Sequence, residues 1–394
     1  MRPGRRVSGP RFALKGGRLF AGGGFVTGEV AIAGDRIGAS VGAGDLDVDL
    51  GGRAVLPGIV NAHDHLDFAS FTSQGSPPYA SLYEWAADVQ GGEGDASARA
   101  ALRVPLAERL WLGGLRCVLA GVTAVAHHGP DHRSLSRPDF PVRVLRRYQF
   151  AHSPGLTPRL RATYRSTDRR IPWMIHAAEG TDEACRGEIA RLEEARLLRQ
   201  NTVIVHGIAL GPEQARRIAA ARASVVWCPE SNRRLYGATA PVAVLRAAGV
   251  PLGLGSDSPV SGVRDALSNL AAARAEGVLS DVELLELATR GSASVARLPV
   301  GGFAVGDPAD LLVVSSTEAL LQGDRRAISL LLVAGQAVYG EPALMQALGS
   351  PAVRVRVEGE ERALRPGLAR RLAAAIRGHP FLRRVAWIDG IAFD

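Results

Sequence analysis

The chain of 394 residues predicts an α/β fold: a (β/α)8 TIM-type barrel, distorted around its third and fourth strands, beside a small β-sandwich domain made from both ends of the chain. Three observations predict it. From residue 57 onward apolar, strand-like runs alternate with helical stretches rich in Ala, Leu, Arg and Glu, such as 182–200 and 211–223, which is the pattern of parallel βα units. The block 57–300 has close to the ~250 residues of such a barrel. On either side of it, within 1–56 and 301–394, the sequence reads as short hairpins with Gly-rich turns.

Composition narrows the class. The chain is 46% hydrophobic and 22% charged, as expected of a folded globular protein. It contains no uninterrupted apolar stretch of the length a membrane helix needs, and its basic start, MRPGRR, is not followed by an apolar signal-peptide core. A cytoplasmic protein without membrane contact is the expectation. Three widely spaced cysteines, Cys117, Cys185 and Cys228, form no C-x-x-C pattern, so neither a disulfide framework nor a zinc knuckle is expected. The net charge of +8 comes almost wholly from arginine, Lys15 being the only lysine. The arginine pairs are scattered along the whole chain, and no nucleic-acid partner is expected.

The elements follow in order. Residues 11–56 contain RFALKGGRLFAGGG, EVAIAGDRIGASV and DVDLGGRAVLPG, three hairpin-like pieces. The first barrel strand is AVLPGIVNAHDH, 54–65. Side chains alternate along a strand, so His63 and His65 share a face at its C-terminal end, the catalytic end of a barrel. The same arrangement recurs: His176 ends IPWMIH, His206 ends NTVIVH and Asp257 ends PLGLGSD. Five polar residues on four strands would converge at one mouth, and imidazoles with a carboxylate suit zinc or ferrous iron. Glu179, three residues past His176, can reach over such an ion without ligating it and shuttle a proton. Between His128 and Ile171 only VRVLRRYQFAHS is strand-like, whereas a regular barrel needs two complete units there. The segments 301–316 and 326–342 return to β sequence, and the tail from about 355 reads as helical.

The pieces GDRIGASV, VLPGIVNAHDH, GVTAVAHH, IHAAE, VIVHGIAL, WCPESNRRLYGATAPVAVLRAAGVPLGLGSDS and LATRGSASVARLPVGGFAVGDPADLLVV together resemble the amidohydrolase superfamily. The resemblance is to the branch of cytosine and guanine deaminases, adenosylhomocysteine/methylthioadenosine deaminases and triazine hydrolases. It implies that His63, His65, His176 and Asp257 bind one divalent metal, zinc before ferrous iron. It also implies that His206 contacts the water or substrate at the metal, that Glu179 moves protons, and that the enzyme is a homodimer. Members with two metals bridge them by a lysine inside the barrel, and Lys15 precedes the barrel.

Further candidates line the expected mouth. His127 and His128 follow GVTAVA, His152 follows a strand-like run, and Trp85 lies in the loop-to-helix stretch after the first strand. Asn232 belongs to the C-P-E-S-N segment, where Glu230 departs from the family pattern at a substrate-facing position. The reading is a metal-dependent aminohydrolase acting on a small nitrogen heterocycle and releasing ammonia. A non-deaminating hydrolase of amide, cyclic amide, ureido or other activated bonds is the alternative, and a non-catalytic binding protein on the same fold the remote one.

Overall fold

The computed structural model describes residues 9–40, 42, 45–91, 95–164, 168–298 and 302–393. The expected domain boundary at 300/301 lies outside the described residues.

The N-terminal segment forms β1 (Arg11–Ala21), β2 (Gly24–Ala33), β3 (Arg36–Gly38), β4 (Leu46–Asp49) and β5 (Ala54–Pro57). Eight strands follow: β6 (Ile59–Asp64), β7 (Val122–His127), β8 (Arg143–Val144), β9 (Gln149–Ala151), β10 (Trp173–Ala177), β11 (Thr202–His206), β12 (Ser224–Trp227) and β13 (Leu252–Leu254). The C-terminal part adds β14 (Leu311–Val314), β15 (Ile328–Val333), β16 (Gln336–Gly340), β17 (Val353–Val357), β18 (Glu360–Leu364) and β19 (Ile391–Phe393).

Strands β6–β8 make a three-stranded parallel sheet, and β9–β13 a five-stranded one in sequential order. This is the parallel α/β architecture that the alternation predicts. The two sheets meet just past the ends of β6 and β13, where Asp64 and Asp257 form a parallel bridge and the Asp257 N–H donates to the His63 carbonyl at 3.1 Å. On the other side β8 and β9 are separated by four residues and no helix, and no ladder joins them. The missing sequence between His128 and Ile171 therefore takes the form of two strands of two and three residues in place of two full βα units. His128 spans part of that gap, its Nε2 lying 2.9 Å from the Ala151 carbonyl oxygen.

The strands are buried on both faces, as expected when helices cover a parallel sheet. The helix Leu106–Leu119 packs Leu110, Trp111, Leu115, Val118 and Leu119 into the main core, each burial contributing roughly 1.5–3 kcal/mol. It approaches the segment after β6 so closely that a Cβ on Gly113 would stand 2.6 Å from the Leu66 carbonyl oxygen.

The two ends of the chain meet in one sheet. β5 pairs with β14 antiparallel, joining the N-terminal strands to the C-terminal ones in an 11-stranded sheet. Alternate residues of its strands (Phe12, Leu14, Val30, Ile32, Leu311, Val313, Leu330 and Leu332) gather in a core of their own. The helical reading of the tail needs correction. It supplies β17, β18 and β19 to this sheet, and only Pro366–Gly378 forms a long helix. VRVRV alternates with period two, the strand period, and its exposed arginines sit on one face. Beyond the helix, Trp387 is fully buried and its indole donates to the Ala69 carbonyl at 2.7 Å. The chain end thus props the loop that follows β6.

Candidate active site

The ends of β6, β10 and β11, with the residues just beyond β13, bring together the five strand-end residues. His63 and His65 have ring centroids 4.9 Å apart and perpendicular planes. His63 Nε2 lies 3.3 Å from His176 Nε2, and Asp257 Oδ1 lies 3.8 Å from Nε2 of both His63 and His65. The other Asp257 oxygen accepts a hydrogen bond from Ser261 at 2.7 Å. Burial, reinforced by the neighbouring imidazoles, pushes His63, His65 and His176 well below the usual histidine range. In its neutral form each imidazole offers one nitrogen lone pair that can bind a cation.

Two turns aim these groups inward. His206 and Asp257 adopt left-handed backbone, with φ of 74° and 57°, conformations that cost a non-glycine residue roughly 1–2 kcal/mol and cluster at functional sites. His206 Nδ1 lies 2.8 Å from Asn232 Oδ1. A carbonyl-type oxygen only accepts, so Nδ1 donates this bond and Nε2 is left for another partner. That Nε2 stands 3.5 Å from Glu179 Oε1.

Glu179 is buried above the cluster. Its Oε1 accepts the Tyr236 hydroxyl at 2.7 Å, and its Oε2 lies 3.9 Å from His176 Nδ1 with no hydrogen-bond partner. Burial raises its carboxyl to about 7, and burial also raises Asp257 to about 6.

The secondary candidates divide. His128 joins the cluster, its ring 4.3 Å from His176 in a near-parallel stack and 5.0 Å from His63. His127 points the other way, as its neighbour in a strand must, and its Nδ1 accepts the Leu66 N–H at 3.3 Å. His152 is exposed at the rim, 6.5 Å from both His128 and His176. Trp85 packs between Phe71 and Val260 on one side and Ile208 and Tyr236 on the other, with its indole N–H unpartnered. Asn232 holds His206 in the way described. Glu230 turns away from the imidazoles toward the helix Ala266–Ala275, accepting the Ser268 hydroxyl at 2.6 Å.

Sequence reasoning missed Tyr236 and Arg116. Tyr236 lies four residues after Asn232 on the helix Pro229–Tyr236, a spacing that puts both on one face. That spacing was the available signal. Arg116 is a fully buried cation in the apolar helix Leu106–Leu119, and nothing in its sequence neighbourhood distinguishes it from a solvated arginine.

Residues 161–338 match the Amidohydrolase family. The chain is 28% identical over 344 residues to a 5-methylthioadenosine/S-adenosylhomocysteine deaminase of Halobacterium salinarum, covering 73% of this chain and 78% of that protein. It is 34% identical over 154 residues to an 8-oxoguanine deaminase of Pseudomonas aeruginosa, covering 36% of this chain and 34% of that protein. In fold it resembles the crystal structure of an adenosine deaminase from Xanthomonas campestris with bound zinc, with a TM-score of 0.69, 18% identity and coverage of 95% of this chain and 99% of that one. An atrazine chlorohydrolase from Arthrobacter aurescens complexed with zinc gives a TM-score of 0.64 at 18% identity, over 83% of this chain and 95% of that one.

Proposed function

We propose that this chain, a metal-dependent hydrolase with an amidohydrolase-family domain, is an aminohydrolase that releases ammonia from an amino-substituted nitrogen heterocycle. In this reading β6 to β13 close as a distorted eight-stranded barrel, residues 57–300 form the catalytic domain, and the composite sheet folds over as a sandwich beside it.

The donor set fits a divalent ion of borderline hardness. Buried imidazole nitrogens and a carboxylate oxygen converge there, His63 Nε2 lying 3.3 Å from His176 Nε2 and Asp257 Oδ1 3.8 Å from Nε2 of both His63 and His65. His63, His65, His176 and Asp257 would hold one such ion, zinc by preference and ferrous iron as the second choice. When bound, it supplies Lewis acidity and makes water a stronger acid.

The remaining residues handle protons and the substrate. His206 Nε2 lies within 3.5 Å of Glu179, so a proton taken from the attacking water has a short path to that carboxylate. Asp257, with its Oδ1 3.8 Å from Nε2 of both His63 and His65, can share it. Glu179, near 7, exchanges its proton readily at neutral pH, where a general acid is most effective. Its Oε2 is the oxygen left to protonate a leaving amine, because Oε1 is occupied by Tyr236. His128 and Trp85 are the side chains best placed to touch the ring, with His152 at the rim.

The observation that carries the reading is the buried carboxyl of Glu179 at the edge of the histidine cluster, its Oε1 3.5 Å from His206 Nε2 and its unpartnered Oε2 3.9 Å from His176 Nδ1. The choice of ammonia as leaving group is supported by the two relatives found by sequence, which are deaminases, whereas one of the two structural neighbours is a chlorohydrolase. The test is ammonia release by zinc-loaded protein on amino-purines, amino-pyrimidines, pterins and triazines, with Glu179→Gln as control.

A further inference from the structure

Strand β10 ends at Ala177, and Glu179 must turn back over the cluster that His176 has just entered. The turn is made at Ala178, whose φ is 54°, left-handed backbone in a residue with a Cβ. A turn of this kind needs its freed backbone groups satisfied. The Ala178 carbonyl accepts the Ala209 N–H at 2.9 Å. The Ala178 N–H is taken by a side chain, Oε2 of Glu188, at 2.6 Å.

Glu188 opens the helix Glu188–Glu194 and is 2% exposed. Its second oxygen, Oε1, accepts the hydroxyl of Tyr83. Tyr83 belongs to the helix Leu82–Gly91 in the stretch that follows β6, two residues before Trp85. The same stretch is zipped to the Glu179 turn through the backbone. The Leu82 N–H donates to the Glu179 carbonyl at 2.9 Å, the Thr181 N–H donates to the Ala80 carbonyl at 2.7 Å, and Ser81 and Gly180 form an antiparallel bridge. The approach requires glycine at 180, where a Cβ would stand 2.5 Å from the Ala80 carbonyl oxygen.

We infer that Glu188 is a positioning residue: one carboxylate holds the Ala178 turn and the Tyr83 hydroxyl together, so that Glu179 reaches its working position only when the segment 79–91 is docked over the site. The inference rests on the reading of Glu179 as the proton shuttle. Glu188 is hydrogen-bonded to Ala178 and Tyr83 and not to the histidines; besides holding the turn, its charge lies close enough to push the Glu179 carboxyl upward. A carboxylate is retained at such depth only where its oxygens are hydrogen-bonded, and both of these are, to the two segments it joins.

The test compares Glu188→Ala, Glu188→Gln and Tyr83→Phe with the parent chain, all zinc-loaded. Glutamine keeps an oxygen for the Ala178 N–H and an amide for Tyr83, whereas alanine removes both partners. Hydrogen exchange of peptides covering 79–91 and 177–182 reads the docking directly. Glu188→Ala speeds exchange in both segments by about tenfold or more, Tyr83→Phe speeds it in 79–91, and Glu188→Gln stays within about threefold of the parent. On any substrate of the panel, Glu188→Ala lowers kcat by about tenfold or more with KM within about threefold and zinc content unchanged, and Glu188→Gln restores most of it. Parental exchange in both segments for Glu188→Ala, or a fall in kcat that glutamine does not rescue, overturns the inference. Should Glu188→Ala not fold, Tyr83→Phe decides, since losing one hydroxyl spares the core and unchanged exchange in 79–91 would refute the coupling. If the parent chain turns over nothing on the panel, the proposed function fails, and the exchange measurement still decides whether Glu188 joins the two segments.

Discussion

Arg116 grips Asp64 with one nitrogen: Nη2 lies 2.6 and 2.7 Å from the two carboxylate oxygens, and the same nitrogen reaches the Asp257 carbonyl oxygen at 3.1 Å. Asp64 sits between His63 and His65, and both members of the pair are 1% exposed. The pair therefore ties the strand that carries two histidines to the backbone of the carboxylate opposite them. Breaking a buried pair by removing one partner strands the other charge and typically costs about 3–5 kcal/mol. Arg116→Met is expected to lose stability on that scale in urea titration and to bind zinc more weakly. Arg116→Met combined with Asp64→Leu is expected to recover part of the stability without the zinc affinity.

The cluster predicts a metal-dependent fold stability. An ion that binds the folded chain alone, present at about a thousand times its dissociation constant, adds about 4 kcal/mol. Dialysis against a chelator is expected to lower Tm, and zinc to restore it. His176→Ala should show the lower Tm with and without zinc, because His176 Nε2 is 3.3 Å from His63 Nε2 at the centre of the donor set.

Glu230 offers a pH prediction away from the histidines. Burial raises its carboxyl from 4.5 to about 7, against the opposing hydrogen bond from Ser268. The folded chain thus holds this proton more tightly than the unfolded chain does. Between pH 4.5 and about 7 the folded state binds more protons, and stability falls as pH rises through that window, levelling above it. Glu230→Gln removes this contribution. Its stability at pH 8 is expected to exceed the parent's by up to about 3 kcal/mol, and its slope between pH 5 and 7 to be shallower.

Tyr236 predicts a shift in rate rather than in stability. Its hydroxyl bonds Glu179 Oε1 at 2.7 Å and favours the charged carboxylate. Tyr236→Phe is expected to move the pH–rate limb belonging to Glu179 to higher pH and to lower kcat about tenfold at neutral pH. An unchanged limb would detach Tyr236 from proton transfer.

The parts of the site that could be read from sequence share one property. His63, His176, His206 and Asp257 each close an apolar run, so strand direction and side-chain alternation place them together before any coordinates exist. The region between His128 and Ile171 resisted because β8 and β9 hold only two and three residues, too few to show a period. The tail was misread because the charged faces of β17 and β18 resemble a solvated helix until their alternation is counted. Glu230 reads from sequence as a substrate-facing departure from the family pattern, and the structure turns it elsewhere. On the helix Pro229–Tyr236, residues two apart point in different directions, and Glu230 meets Ser268 instead. The docking of residues 79–85 onto 179–181 is carried by backbone bonds, which leave no mark in side-chain chemistry.

Glu179 is assigned the proton that releases ammonia, and ammonia produced by zinc-loaded protein and by Glu179→Gln on the same heterocycle panel tests that assignment. The parent is expected to release ammonia from at least one ring, and the variant to lose at least about a thousandfold while still binding one zinc per chain. Equal release by the two proteins would contradict it, and so would silence from a parent carrying its full metal.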